Sequence, residues 1–188
     1  MLAQRAPSAD GAARFVAAHA EALPLGAAKV DLVFLSMVYH HLRPEAAVAE
    51  IARVLAPGAH VVVRNPTRET VVGFEYMRFF PEARQVDEAR MPARDALVAT
   101  FAAHGLEASA HRVVMHPFAA SYAEYLAKIS ARAISSLQAI SDEAFARGRA
   151  AFERHCRAAE DHPIYEPVEI FLFGPRCCSR SRTKLKST

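Results

Sequence analysis

Residues 30–65 read VDLVFLSMVYHHLRPEAAVAEIARVLAPGAHVVVRN, and the order of patterns within them decides the fold. Val30 to Met37 is a continuous apolar run with one acid, Asp31, near its start. Such a run suits a parallel strand buried on both faces. Pro44 stands at a first helical position, where its missing N–H is not needed. Val48, Ile51, Val54 and Leu55 then recur on one face until Pro57-Gly58 stops the turn. His60 to Arg64 is β-branched and apolar again. Strand, helix and strand with short connections make a parallel βαβ unit with a right-handed crossover.

Working toward the N-terminus, Glu21 to Lys29 is a loop broken by Pro24 and Gly26, and Arg14 to Ala18 is expected as a short strand through Phe15 and Val16. Before it, Pro7 to Gly11 reads as a turn and Met1 to Arg5 as the end of a helix. Toward the C-terminus, Arg94 to His104 is a helix ended by Gly105, and Leu106 to Met115 is a strand. Tyr122, Tyr125, Leu126, Ile129, Ala133 and Leu137 mark a long helix. Ser141, Asp142 and Glu143 start another by capping and by negative charge at a helix N-terminus, with Phe145, Phe152 and Cys156 on its inner face. Val168 to Phe173 is a last strand, ended by Gly174-Pro175.

A chain of 188 residues with 52% hydrophobic side chains buries one core, so residues 1–175 are expected as one domain and residues 176–188 as a solvated basic tail. The formal charge is only +3, and much of the excess lies in Arg176, Arg180, Arg182, Lys184 and Lys186. No basic stripe marks the body, which argues against a nucleic-acid partner. Cys177 and Cys178 are adjacent and Cys156 is alone, so neither a disulfide framework nor a metal-binding spacing is present. No apolar run approaches the roughly 18 residues of a membrane span, and no signal-peptide layout opens the chain. The expectation is a cytoplasmic protein with no membrane partner.

Three pieces, AEALPL at Ala20 to Leu25, VDLVFLSMVYHHL at Val30 to Leu42 and EIARVLAPGAHVVVRN at Glu50 to Asn65, together resemble the middle of a class I S-adenosylmethionine-dependent methyltransferase. The resemblance implies an α/β, Rossmann-like sheet in the order 3-2-1-4-5-7-6, whose last two strands form an antiparallel hairpin. It also implies S-adenosyl-L-methionine as cofactor, lying across the carboxyl ends of the strands, where ligands of open α/β sheets bind. His19 and Ala20 then stand where the adenine is reached, and Leu35, Ser36 and Met37 border the methionine end. Tyr39, His40 and His41 follow at a strand-to-helix junction. His41 is placed near the transferred methyl or the nucleophile, as a general base with an unperturbed pKa of about 6.5, or else hydrogen-bonds the following turn. Asn65, Thr67, Arg68 and Glu69 are expected on the substrate rim. Arg68 there meets an anionic group of a small-molecule substrate or forms a loop salt bridge. The stretch Tyr122 to Ser136 is a lid or plain core.

Members of this family carry, upstream of these pieces, a glycine-rich loop and an acid that binds the ribose. The sequence opens inside what resembles the following helix, so the expectation is an N-terminally truncated domain missing the first two strands. Direct methyl transfer to a small molecule is the first functional expectation. A non-catalytic remnant of the fold is the alternative, and a small α/β interaction domain the third. Loss of central strands exposes a sheet edge, which predicts low solubility or a homodimer.

Overall fold

The computed structural model describes residues 15–176 of the chain. Its sheet has four strands, β1 (Val30–Ser36), β2 (Leu55–Asn65), β3 (Leu106–Ala119) and β4 (Ile164–Pro175), in the order β1-β2-β4-β3. β1 and β2 are parallel, while β4 runs antiparallel to both β2 and β3. That is the 4-5-7-6 half of the expected order, with the antiparallel pair at its end.

Helix α1 (Pro44–Val54) crosses from β1 to β2 with Pro44 in its first turn and Ala47, Val48, Ile51 and Val54 buried. α2 (Arg68–Val71), α3 (Pro81–Arg90) and α4 (Arg94–Ala103) separate β2 from β3, and α5 (Tyr122–Ser130), α6 (Ser135–Gln138) and α7 (Asp142–Ala158) separate β3 from β4. One core forms where α1 and α4 cover one sheet face. There Val48, Ile51, Leu97 and Phe101 meet Val61, Val63, Phe171 and Phe173, and the rings of Phe101 and Phe173 stack at 4.1 Å. β2 ends at Asn65, opposite Glu169, but β3 and β4 continue together to the pair Ala119–Ile164. On this projection sits a second core, a helical cap built from Phe74, Tyr76, Met77, Phe80, Tyr125, Ile129 and Phe152.

Several expectations need correction. Residues 15–18 form no strand, Phe15 and Val16 are more than half exposed, and the only pairing nearby is an isolated bridge between His19 and Ala22; Arg14 lies outside the described residues. A lone four-residue segment without a neighbour has no ladder to join. β2 begins at Leu55 rather than His60. Leu55 pairs with Val30 and His60 with Leu32, so Pro57-Gly58 forms a bulged excursion inside the strand, with Gly58 at φ 84°. The long helix from Tyr122 is broken after Ser130. Arg132 adopts φ 51°, and its guanidinium binds the carbonyls of Leu137 and Ile140 and the carboxylate of Asp142, which holds the chain in the turn between α5 and α6. Arg176, assigned to the tail, pairs instead with Glu107 of β3 at 2.8 Å, whereas residues 177–188, including Cys177 and Cys178, lie outside the described residues.

Candidate functional site

β1 and β2 end side by side, and the chain leaving β1 turns sharply. Met37 takes φ 54°, a conformation unusual for a side-chain-bearing residue, and its N–H donates to the carbonyl of Arg64 at 2.8 Å. Ser36 Oγ accepts from Arg64 at 3.3 Å, and Leu35 is half-buried toward α1 and α4. A 3-10 turn, Tyr39–His41, follows. Tyr39 points into the core, 2% exposed and stacked on Phe101. His40 lies back over the end of β2, with its Nδ1 3.0 Å from Asn65 Oδ1.

The orientation of this pair follows from its surroundings. Asn65 is fully buried and its Nδ2 donates to the carbonyl of Pro66 at 2.7 Å, so Oδ1 is the acceptor facing His40. The proton of a neutral His40 therefore sits on Nδ1, and Nε2 carries the lone pair. Burial pushes the His40 pKa below its ordinary value, helped by the charges of His41 and Arg90 and opposed by the Asn65 bond. The ring of His41 lies 4.0 Å from that of His40 and is exposed. The imidazole with a fixed orientation at this junction is His40, while His41, expected near the transferred methyl, stands exposed beside it.

His19 and Ala20 reach the same rim through their neighbour. The Glu21 carboxylate accepts from the backbone N–H of Arg43, just before α1, at 3.3 Å. The loop then descends along α1. Leu23 N–H donates to Glu50 at 2.7 Å, and Arg53 donates to the carbonyls of Leu23 and Leu25. Arg53 and the Leu23 N–H push the Glu50 pKa down to about 2. His19 itself is exposed and its carbonyl accepts from Ala22 N–H.

On the α1 and α4 side of the rim opens a cavity of about 520 Å³, lined among others by Tyr39, His40, Arg68, Arg90, Met91 and Leu97. Arg68 reaches it from α2, its Nε donating to the carbonyl of Glu88 at 3.0 Å, and Arg90 reaches it from α3, donating to Ser135 Oγ at 2.8 Å. Behind the rim, Glu169 is fully buried and gathers Thr67, Thr70, Arg94 and His111. Burial works to raise its pKa, but Arg94, Thr67 and His111 outweigh it and hold the carboxyl below its ordinary value. Thr67, expected at the substrate, is therefore tied into the fold. Arg90, Arg94 and Glu169 escaped the sequence reading; the one available signal was a lone acid inside the apolar strand VEIFLF.

Of the residues expected at a nucleoside-bearing cofactor, Met37 and Ser36 are exposed at the end of β1, Leu35 is half-buried beside them, and His19 and Ala20 lie in a turn held by the bridge of His19 to Ala22. Among the described residues, no glycine-rich loop and no ribose-binding acid accompany them. No group of three or more metal-ligating side chains occurs among the described residues, and no described helix is long and apolar enough to cross a membrane.

Residues 1–63 match the family model described as a methyltransferase domain. Among solved structures, a protein from Bacillus halodurans C-125 assigned as a methyltransferase superposes with a TM-score of 0.54 at 11% identity, over 84% of this chain and 69% of that one. The cyclase SpnF superposes with a TM-score of 0.51 at 18% identity, over 86% of this chain and 55% of its own. A protein from Galdieria sulphuraria, assigned as a sarcosine dimethylglycine methyltransferase, gives 0.48 at 16% identity, over 84% of this chain and 57% of that one. The chain thus spans little more than half the length of two of these structures. No curated protein matches it.

Proposed function

We infer that this chain, which carries the 4-5-7-6 half of the class I methyltransferase fold and matches a methyltransferase domain over its first third, takes part in S-adenosylmethionine-dependent methylation of a small molecule. The fold alone does not fix the reaction, since a cyclase shares it. What carries the reading is the neutral, oriented His40 beside a cavity at the carboxyl ends of two parallel strands. His19, Ala20, Leu35, Ser36 and Met37 are the residues assigned to hold the cofactor, which when bound supplies an electrophilic methyl group. The acceptor lies in the cavity beside His40 and Arg68, with the buried Tyr39 behind it and Asn65 acting only through His40. His40 Nε2 takes the acceptor's proton, Asn65 holds the ring in the tautomer that leaves this nitrogen free, and His41 packs against it as the exposed outer ring. The rest of the work is alignment and exclusion of water by the helical cap.

The test is calorimetric titration of S-adenosylhomocysteine into this chain. Micromolar binding that is abolished in Met37→Asp is expected. Absence of binding overturns the reading in favour of a non-catalytic remnant of the fold.

A further inference from the structure

The cavity at the rim carries two guanidinium groups with no carboxylate of the described residues within ion-pair distance. Among the described residues, Arg43, Arg53, Arg84, Arg94, Arg132, Arg147, Arg157 and Arg176 each have a carboxylate within 4 Å. Arg68 and Arg90, like Arg64, Arg78, Arg112, Arg149 and Arg154, have none, and these two each use one nitrogen on a neutral oxygen, a backbone carbonyl and a serine hydroxyl. Both line the same cavity, together with apolar side chains such as Leu42, Met91, Pro92 and Leu97. Guanidinium groups held in place by one hydrogen bond keep their remaining N–H donors in a fixed fork, the arrangement that meets a planar two-oxygen anion.

Resting on the reading of this rim as the acceptor site, we propose that the cavity takes a small monocarboxylate with an apolar body, its carboxylate held between Arg68 and Arg90 and its hydrocarbon portion against Leu42, Met91 and Pro92. The single charge follows from the neighbourhood. The buried Asp87 lies one helical turn before Arg90 on α3 and already offsets part of that charge. The apolar body follows from the lining, and a volume of about 520 Å³ falls within the usual range for small organic ligands.

The test is titration of hexanoate, hexanamide and inorganic phosphate into the unmodified chain and into Arg68→Met and Arg90→Met, monitored by calorimetry and by melting temperature. Saturable hexanoate binding is expected, at least about tenfold tighter than hexanamide or phosphate and weakened about tenfold or more in each variant. Equal affinity for hexanoate and hexanamide overturns the carboxylate clamp, as does hexanoate binding indifferent to both substitutions. Phosphate binding tighter than hexanoate overturns the apolar body. The comparison of hexanoate with hexanamide on the unmodified chain decides the matter even where a variant fails to fold. S-adenosylhomocysteine on the same samples separates the two readings. Arginine-dependent hexanoate binding without it retains the clamp and removes the methylation reading, whereas its binding with no hexanoate binding does the reverse.

Discussion

Two buried glutamates three positions apart in β4 behave oppositely. Glu169 faces the α1 and α4 side and is met by Arg94 and His111, so its carboxyl is held low. A depressed folded value contributes stability above the unfolded value and loses it as pH falls. Glu169→Gln is therefore expected to lose roughly 2 kcal/mol at pH 7, a moderate figure because the Arg94 side chain stays 35% exposed, and the difference should shrink toward pH 3. Urea unfolding of both proteins at the two pH values checks this; a loss undiminished at pH 3 would contradict it. Glu166 lies three residues earlier in β4, inside the cap, with Oε1 unpartnered, and burial pushes its pKa up to about 7. Here the native state holds the proton more tightly than the unfolded chain does. Stability is fully present below the ordinary value of 4.5 and falls as pH rises toward about 7, by about 3 kcal/mol in total. Glu166→Gln should flatten that decline and melt higher than the parent at pH 8; parallel melting curves from pH 4.5 to 8 would dispose of the idea.

At the scale of elements, α7 shows why a helix interior contains a glycine. A Cβ at Gly148 would lie 2.4 Å from Phe80 Cδ1 and 2.7 Å from the carbonyl oxygen of Phe79, so the close approach of α7 to the turn before α3 depends on its absence. In an exposed helix, glycine to alanine gains roughly 1 kcal/mol. Gly148→Ala should instead lose about 1–3 kcal/mol by overpacking, read as a lower urea midpoint. The β1–α1–β2 unit was legible because its signals are local: a period near 3.6 after Pro44 and unbroken apolar runs on either side. The segment between Asn65 and Arg94 was not. α3 reads PEARQVDEAR and buries only Ala83 and Asp87, while the residues that build the cap, Phe74, Tyr76, Met77 and Phe80, lie in or beside a short 3-10 helix, Glu75–Arg78, too short to show a period.

Across the whole molecule, the sheet is covered unevenly. α1 and α4 seal one face, but on the other Leu32 and Phe34 of β1 are 56% and 58% exposed, and no described strand pairs with the outer edge of β1. Unpaired backbone groups beside exposed apolar side chains favour association. This chain is expected to form concentration-dependent dimers or larger species on light-scattering chromatography, and Phe34→Lys should shift it toward monomer. A parent that stays monomeric at every concentration would sink that expectation.

Local patterning alone determined the parallel βαβ unit, the polarity of its strands and hence the rim on which His40, Asn65 and Arg68 lie, because a hydrophobic period and a proline at a helix start need no distant partner to be read. Which histidine is oriented, which acid is sealed and which arginines remain without a carboxylate was decided only by tertiary structure. Asn65 meets His40 across 25 positions, and Glu169 meets Thr67 across 102. The protonation and partners of a polar side chain depend on burial and on groups brought from elsewhere in the chain, and no periodicity in the sequence encodes either.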